Sequence, residues 1–69
     1  MKKIVVTGAA GRLGRKVVSD LISRGYTVLA VDKDRPEKMQ CRFLPADLTD
    51  PAVAMDVLTG ADAVIHLAA

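Results

Sequence analysis

A chain of 69 residues forms one domain at most, and a domain of this size buries only about 60% of the surface that its unfolded chain exposes. With 51% hydrophobic and 26% charged residues the composition is that of a globular protein, and the formal net charge of +2 is too small and scattered for a nucleic-acid surface. No apolar run has the length of a membrane span or a secretory leader. We therefore expect a cytoplasmic domain without nucleic-acid or membrane partners.

The first half of the chain predicts a strand, a helix and a second strand. Residues 3–7 form a short β-branched run that ends at a glycine, which is typical of a buried strand. A helix is predicted from about residue 11 to residue 24, and Gly25 is placed to end it. Residues 27–32 predict the second strand. The apolar residues that recur at helical spacing on the expected buried face are Leu13, Val17, Val18, Leu21 and Ile22.

The second half repeats this alternation. Charged residues 33–40 predict a loop or a short helical turn, and a third strand follows at 42–46. Asp50 followed by Pro51 indicates a helix start, because a carboxylate caps the first N–H groups and proline fits the first helical position. Residues 62–67 predict the fourth strand. The expected buried face of the second helix consists of Val53, Val57 and Leu58.

Strands that alternate with helices predict a parallel sheet, because each crossover returns the chain to the same end of the sheet. Among the few topologies that right-handed crossovers allow, the strand order 3-2-1-4 is the one found in dinucleotide-binding halves of open α/β sheets. The predicted fold class is therefore α/β, with a four-stranded parallel sheet that forms a truncated half of a doubly wound fold. The gap between strands 1 and 4 is its topological switch point, where such sheets bind ligands.

The turn between the first strand and the first helix is typical of a pyrophosphate-binding turn. Gly8 allows a sharp reversal, Gly11 lets backbone approach the phosphates, and Gly14 lets the helix pack close to the sheet. Arg12 and Arg15 are unfavourable at the positive end of a helix dipole, and bound phosphate would relieve this conflict; solvated basic side chains are the alternative. A P-loop is excluded, because Gly14 is not followed by Lys and Ser or Thr.

Asp32 ends the second strand, close to the spacing of about twenty residues at which a carboxylate accepts hydrogen bonds from the adenosine ribose. The alternative for Asp32 is a strand-end residue that caps the following loop. Because a carboxylate repels a 2′-phosphate, we predict NAD as the cofactor. Lys33 and Arg12 leave some room for NADP.

Three stretches resemble the extended short-chain dehydrogenase/reductase family, in its NAD-dependent epimerase/dehydratase group. Residues 7–14 resemble the TGxxGxxG turn, residues 46–50 the acidic segment after strand 3, and residues 66–69 the HLAA segment that ends strand 4. The resemblance implies that residues 1–69 are the N-terminal part of an NAD(P)-binding Rossmann domain, with no second domain.

The resemblance also implies contacts for particular residues. Asp47 and the backbone of Leu48 would contact adenine, although an aspartate before a turn has a purely structural alternative. The backbone of the HLAA segment would line the ribose and nicotinamide side of the cofactor. The predicted cofactor-binding residues are Gly8, Ala10, Gly11, Arg12, Leu13, Gly14, Asp32, Lys33, Asp47, Leu48, Leu67, Ala68 and Ala69.

Catalysis is not expected from this chain alone. The family's Tyr-x-x-x-Lys pair and its Ser or Thr lie downstream, and the single tyrosine here, Tyr26, is followed four residues later by Ala30. The resemblance therefore implies an NAD(P)-binding fragment of an epimerase, dehydratase or dehydrogenase that acts on a sugar or sugar-nucleotide type substrate. The alternative is a self-standing nucleotide-binding or assembly module without catalysis.

Two single residues and one edge complete the predictions. His66 lies in an apolar strand, where a hydrogen-bonded structural role is expected, and Cys41 is expected to be a small, buried apolar residue. One histidine, one cysteine and scattered carboxylates offer no metal-ligand spacing. Residues 63–65 would leave an exposed apolar sheet edge, which predicts a homodimer through that edge or the adjacent helix faces.

Overall fold

A computed structural model describes residues 2–34 and 38–67. All four strands are parallel and lie in the order β3-β2-β1-β4, so the predicted fold class and strand order are confirmed. In chain order the elements are β1 (Lys3–Thr7), α1 (Arg12–Ser23), β2 (Thr27–Asp32), β3 (Arg42–Pro45), α2 (Pro51–Leu58) and β4 (Ala63–His66).

The two helices cover opposite faces of the sheet. Because successive side chains of a strand point to opposite faces, each helix packs against its own set of strand side chains. On the face of α1, Val18 packs with a buried cluster that includes Val6 and Ala30. On the other face, Val57 of α2 packs against Val5 and Val31. Both faces of β1 are thus buried, and each valine there contributes roughly 1.5–3 kcal/mol of burial free energy.

The end of α1 is fixed by Gly25, as the sequence predicts. Gly25 has a φ of +88°, in the left-handed region that glycine adopts without strain. Its N–H donates to the carbonyl of Ile22 at 3.0 Å, and the N–H of Tyr26 donates to Leu21 at 3.1 Å. This pair of bonds is the Schellman motif, which satisfies the last carbonyls of the helix and turns the chain into β2.

Two residues that the helical pattern places on buried faces are exposed. Leu13 in the first turn of α1 is 62% exposed, and Leu58 at the last residue of α2 is 40% exposed. The expectation for both was wrong. Periodicity gives the direction of a side chain around the helix axis, but it does not tell how far the neighbouring sheet extends beneath each helix end.

The amino end of the sheet is closed by hydrogen bonds. The N–H of Lys3 donates to the Asp62 carboxylate at 2.7 Å, and the N–H of Asp62 donates to the carbonyl of Lys3 at 2.8 Å. The N–H of Thr27 donates to the carbonyl of Lys2 at 3.1 Å. The carboxyl end of the sheet, in contrast, opens into a cleft.

Candidate functional site

A cleft of about 520 Å³ lies at the carboxyl ends of the strands. Within the sheet, β2 and β3 lie on one side of β1 and β4 lies on its other side. The strand order therefore reverses at β1, and the cleft lies at this topological switch point. Its lining residues are Gly8, Gly11, Val31, Asp32, Lys33, Asp34, Ala46, Asp47, Leu48, Thr49, His66 and Leu67.

The cleft brings together part of the predicted set. Seven predicted residues line it, from the turn, from the end of β2, from the segment after β3 and from the end of β4: Gly8, Gly11, Asp32, Lys33, Asp47, Leu48 and Leu67. Four others lie in the preceding turn or in the first turn of α1 without lining the cleft: Ala10, Arg12, Leu13 and Gly14. Ala68 and Ala69 lie outside the described residues.

The glycine turn, residues 8–11, takes its shape from two glycines. Gly8 has a φ of +70°, which reverses the chain directly after β1. A Cβ at Gly14 would lie 2.5 Å from the carbonyl oxygen of Gly8 and 2.6 Å from the Cα of Ala9, so α1 approaches the turn as only a glycine allows. These two glycines therefore serve the fold.

Gly11 differs from both, because the protein itself does not require a glycine there. Its φ of −72° and ψ of 171° are open to any residue, and a Cβ would meet only the carbonyl oxygen of Gly8, at an ordinary 3.8 Å. Since Gly11 also lines the cleft, the missing side chain leaves room for a group that approaches the backbone.

The start of α1 presents unpartnered donors and positive charge. Gly11 is its N-cap without a side-chain acceptor, and the first turn holds no acidic residue. In residues 2–34 and 38–67 no acceptor meets the N–H groups of Arg12 and Leu13, and the one ion pair is between Arg24 and Asp20. Together with the helix dipole, these groups make the start of α1 electrostatically favourable for an anion.

The Asp32 carboxylate, at the end of β2, contacts the glycine turn. Its Oδ2 accepts from the N–H of Ala10 at 3.0 Å, and its Oδ1 accepts from the N–H of Asp34 at the long distance of 3.4 Å. The bond from Asp34 agrees in part with the alternative prediction that Asp32 caps the loop after β2. The Oδ1 atom still has capacity to accept from a ligand hydroxyl.

Asp47 begins a local turn that is held by hydrogen bonds from Thr49. Its Oδ1 accepts from the Thr49 hydroxyl at 2.7 Å and from the Thr49 N–H at 2.9 Å. These bonds, with a smaller contribution from the positive charge of Lys33, lower the pKa of the Asp47 carboxyl. Thr49 was missed as a site residue, although an aspartate two positions before a threonine is the signature of an Asx turn.

His66 is hydrogen-bonded, as predicted, and it also lines the cleft. Its Nδ1 lies 2.6 Å from the hydroxyl of Thr7, which is only 1% exposed, and the N–H of Leu67 donates to the Thr7 carbonyl at 3.0 Å. The end of β4 is thereby fastened to the end of β1. The signal for this pair lies in the parallel register, which aligns Thr7 with His66.

Other groups have simpler surroundings. Cys41 was expected to be buried but is only half-buried, and this partial burial raises the pKa of its thiol. The described residues contain no group of three or more His, Cys, Asp or Glu side chains that could hold a metal ion. Neither of the two described helices is long and apolar enough to cross a membrane.

Comparison with known proteins places this geometry in a family context. The family model for the NAD dependent epimerase/dehydratase family matches residues 4–69. A short-chain dehydrogenase/reductase superfamily protein from Agrobacterium tumefaciens, solved with bound NAD, is 40% identical with a TM-score of 0.85. MoeE5, solved with UDP-glucuronic acid and NAD, is 35% identical with a TM-score of 0.86. The match covers 97% of this chain in both cases, and 20% and 22% of those two chains.

Curated relatives give the same picture of a short match to longer proteins. A 2-alkyl-3-oxoalkanoate reductase from Stenotrophomonas maltophilia is 36% identical over 93% of this chain, which corresponds to 20% of the relative. An uncharacterized protein from Mycobacterium bovis is 38% identical over 96% of this chain and 8% of its own length. The chain therefore spans a fifth or less of these relatives.

Proposed function

The chain belongs to the NAD dependent epimerase/dehydratase family, and on this premise we propose that its cleft binds the adenosine diphosphate half of NAD. One observation carries the proposal. At the switch point, the N–H groups at the start of α1, which have no acceptor among the described residues, lie beside Gly11, whose missing side chain leaves room for a ligand. Similar proteins that were solved with bound NAD support the choice of ligand.

The diphosphate would lie on the first turn of α1. The N–H groups of Gly11, Arg12 and Leu13 can donate to its oxygens, and the dipole and the exposed guanidinium of Arg12 add favourable charge. Ala10, in the glycine turn, and Gly14, which packs against that turn, would shape this surface.

The adenosine would lie between the end of β2 and the segment after β3. Asp32 would accept from the ribose hydroxyls, and Asp47 with the backbone of Leu48 would border adenine. Because Asp32 repels a 2′-phosphate, the site favours NAD over NADP, with Lys33 as the opposing charge. Leu67, followed by Ala68 and Ala69, would lead towards the nicotinamide side.

The protein that carries this chain is proposed to be an NAD-dependent epimerase, dehydratase or dehydrogenase. A sugar or sugar-nucleotide substrate is supported by the similarity to MoeE5, which was solved with UDP-glucuronic acid. The nicotinamide ring of bound NAD supplies a hydride acceptor. The part of the family's catalytic machinery that this chain provides is the cofactor half-site, and we propose no catalytic residue within it.

The proposal is tested by calorimetric titration with NAD, NADP and ADP. We expect NAD and ADP to bind and NADP to bind more weakly than NAD. Gly11→Ala should weaken ADP binding at least about tenfold while the fold stays intact, because the added Cβ occupies ligand space and not protein space. Absence of ADP binding to the wild-type protein, or tighter binding of NADP, would contradict the proposal.

The homodimer stays a prediction. β4 is an edge strand of the sheet, and Val64 on it is exposed, so a second copy could pair there. In a longer protein of the family, another segment of the same chain could cover this edge instead. Light scattering at high protein concentration distinguishes the two, since a monodisperse monomer contradicts the dimer.

A further inference from the structure

We propose that Asp32 is a positioning residue for the diphosphate half of the cleft, because its carboxylate holds the glycine turn through the N–H of Ala10. This inference rests on the proposed function for the identity of the ligand. It assigns to the carboxylate a second task, beside acceptance of hydrogen bonds from the ribose, and the two tasks lie on different oxygen atoms.

The glycine turn is fastened to β2 by two adjacent hydrogen bonds. The N–H of Ala9 donates to the carbonyl of Val31 at 3.2 Å, and the N–H of Ala10 donates to Oδ2 of Asp32 at 3.0 Å. The first bond joins backbone to backbone and is independent of side chains. The second depends on the residue at position 32, and an anionic acceptor makes it the stronger of the two.

This second bond determines which donors remain for an anion. With the Ala10 N–H directed to Asp32, the donors left at the end of the turn belong to Gly11 and the residues after it. Adjacent peptide groups share one Cα, so the orientation of the Ala10 N–H restricts the orientation of the next N–H. Asp32 thereby acts on the diphosphate position without contact to the phosphates.

The other oxygen of the same carboxylate faces a different task. Among residues 2–34 and 38–67, the donor to Oδ1 is the Asp34 N–H at 3.4 Å, a weak bond, so Oδ1 can still accept from a ribose hydroxyl. The adenosine side and the diphosphate side of the cleft are therefore connected through one side chain. Its charge alone would repel a diphosphate, so any support of diphosphate binding must come from the hydrogen bond to Ala10.

Two substitutions separate the charge from the hydrogen bond. Asp32→Asn and Asp32→Ala both remove the negative charge, but only asparagine keeps an oxygen that can accept from Ala10. In the ligand-free protein, we expect the Ala10 amide to exchange with deuterium about tenfold faster in Asp32→Ala than in Asp32→Asn. Asp34→Ala is the matched control, since it removes a charge from the same cleft and should exchange at the wild-type rate.

The second measurement compares the affinities of the protein for ADP and for adenosine. Adenosine carries the ribose and no phosphate, so the ratio of ADP affinity to adenosine affinity isolates the diphosphate contribution. We expect this ratio to be about tenfold lower in Asp32→Ala than in Asp32→Asn. Equal exchange rates and equal ratios in the two variants would overturn the positioning role.

The outcomes also separate this inference from the proposed function. If the wild-type protein binds no ADP, the proposed function fails, while the exchange of the Ala10 amide still decides whether Asp32 holds the turn. If Asp32→Ala does not fold, Asp32→Asn is compared with the wild type. A severalfold faster exchange is then expected, because a neutral amide oxygen is a weaker acceptor than a carboxylate. An unchanged rate overturns the inference.

Discussion

The glycine turn and the acidic turn, residues 46–50, border the same cleft but are held in different ways. The glycine turn depends on residues outside it, because Gly14 of α1 lies against its backbone and Asp32 of β2 accepts from the N–H of Ala10. In the acidic turn, residues 47–50 are held by their own bonds, from Thr49 to Asp47 and from the Asp50 N–H to the Asp47 carbonyl, while the N–H of Ala46 donates to the Asp32 carbonyl at 3.0 Å.

This difference indicates where substitutions affect the whole fold and where they affect only the local structure. A change in the glycine turn disturbs the contact between α1, β1 and β2, which forms one of the two cores. A change at Asp47 or Thr49 in the acidic turn removes short-range bonds of exposed residues. The cleft thus combines a turn whose shape depends on the packing of α1 with a turn whose side-chain bonds are local.

The largest expected effect is that of Gly14→Ala. The new Cβ would lie 2.5 Å from the Gly8 carbonyl oxygen and 2.8 Å from the Ala9 carbonyl carbon, and backbone atoms cannot move aside as a flexible side chain can. We expect a loss of about 3 kcal/mol in the free energy of unfolding, measured by urea denaturation.

Gly11→Ala is the matched control for this substitution. It adds the same methyl group three positions earlier, with only an ordinary 3.8 Å contact and an unstrained backbone. We expect its free energy of unfolding to stay within about 0.5 kcal/mol of the wild type. Equal destabilisation by both substitutions would contradict the distinction between the two glycines.

An intermediate effect is expected from Asp50→Ala, at the start of α2. The Asp50 carboxylate accepts from the N–H of Ala52 at 3.0 Å, and the loss of such an N-cap costs about 1 kcal/mol. Asp56→Ala, which removes an exposed carboxylate from within the same helix, should cost less. If the acidic turn is independent, Asp50→Ala leaves the amide exchange of Ala10 unchanged; faster exchange there would show that the two turns are coupled.

The smallest expected effect concerns the pKa of Asp47. Thr49→Val removes the hydroxyl that donates at 2.7 Å, so the lowered pKa should rise towards its ordinary value in a carboxyl NMR titration. Thr59→Val is the control, because its hydroxyl donates to the Met55 carbonyl and not to a carboxylate. An unchanged pKa in Thr49→Val would show that the threonine hydroxyl is not the main cause.

The same carboxyl gives a pH dependence with a definite sign. The pKa of the Asp47 carboxyl is lower in the folded protein than in the unfolded chain. As the pH falls, Asp47 is therefore protonated in the unfolded chain first, at about pH 4. The contribution of Asp47 to stability is therefore fully present above about pH 4 and is lost as the pH falls through the folded pKa. In Thr49→Val, the free energy of unfolding should fall less steeply with decreasing pH below about pH 4. A pH dependence equal to that of the wild type would contradict the role of the Thr49 hydroxyl in lowering the pKa of Asp47.

Much of the fold could be predicted, because its signals are local. The β-branched runs, the Asp50-Pro51 start of α2 and the glycine at the end of α1 each act within a few residues. The handedness of the crossovers then left a few strand orders, of which 3-2-1-4 is the one found in dinucleotide-binding halves. The exposure of Leu13 and Leu58 was missed, because it depends on how far the sheet reaches under each helix end.

The sequence by itself determined the order of elements, the parallel sheet and the family, because short-range patterns and the spacing of glycines and carboxylates specify them. Only the tertiary structure decided that Asp32 holds the N–H of Ala10 and that Thr7 holds His66. These pairs lie far apart along the chain and meet only when parallel strands align. The tertiary structure also shows that the packing of α1 against the turn requires a glycine at position 14, whereas Gly11 is open to the cleft.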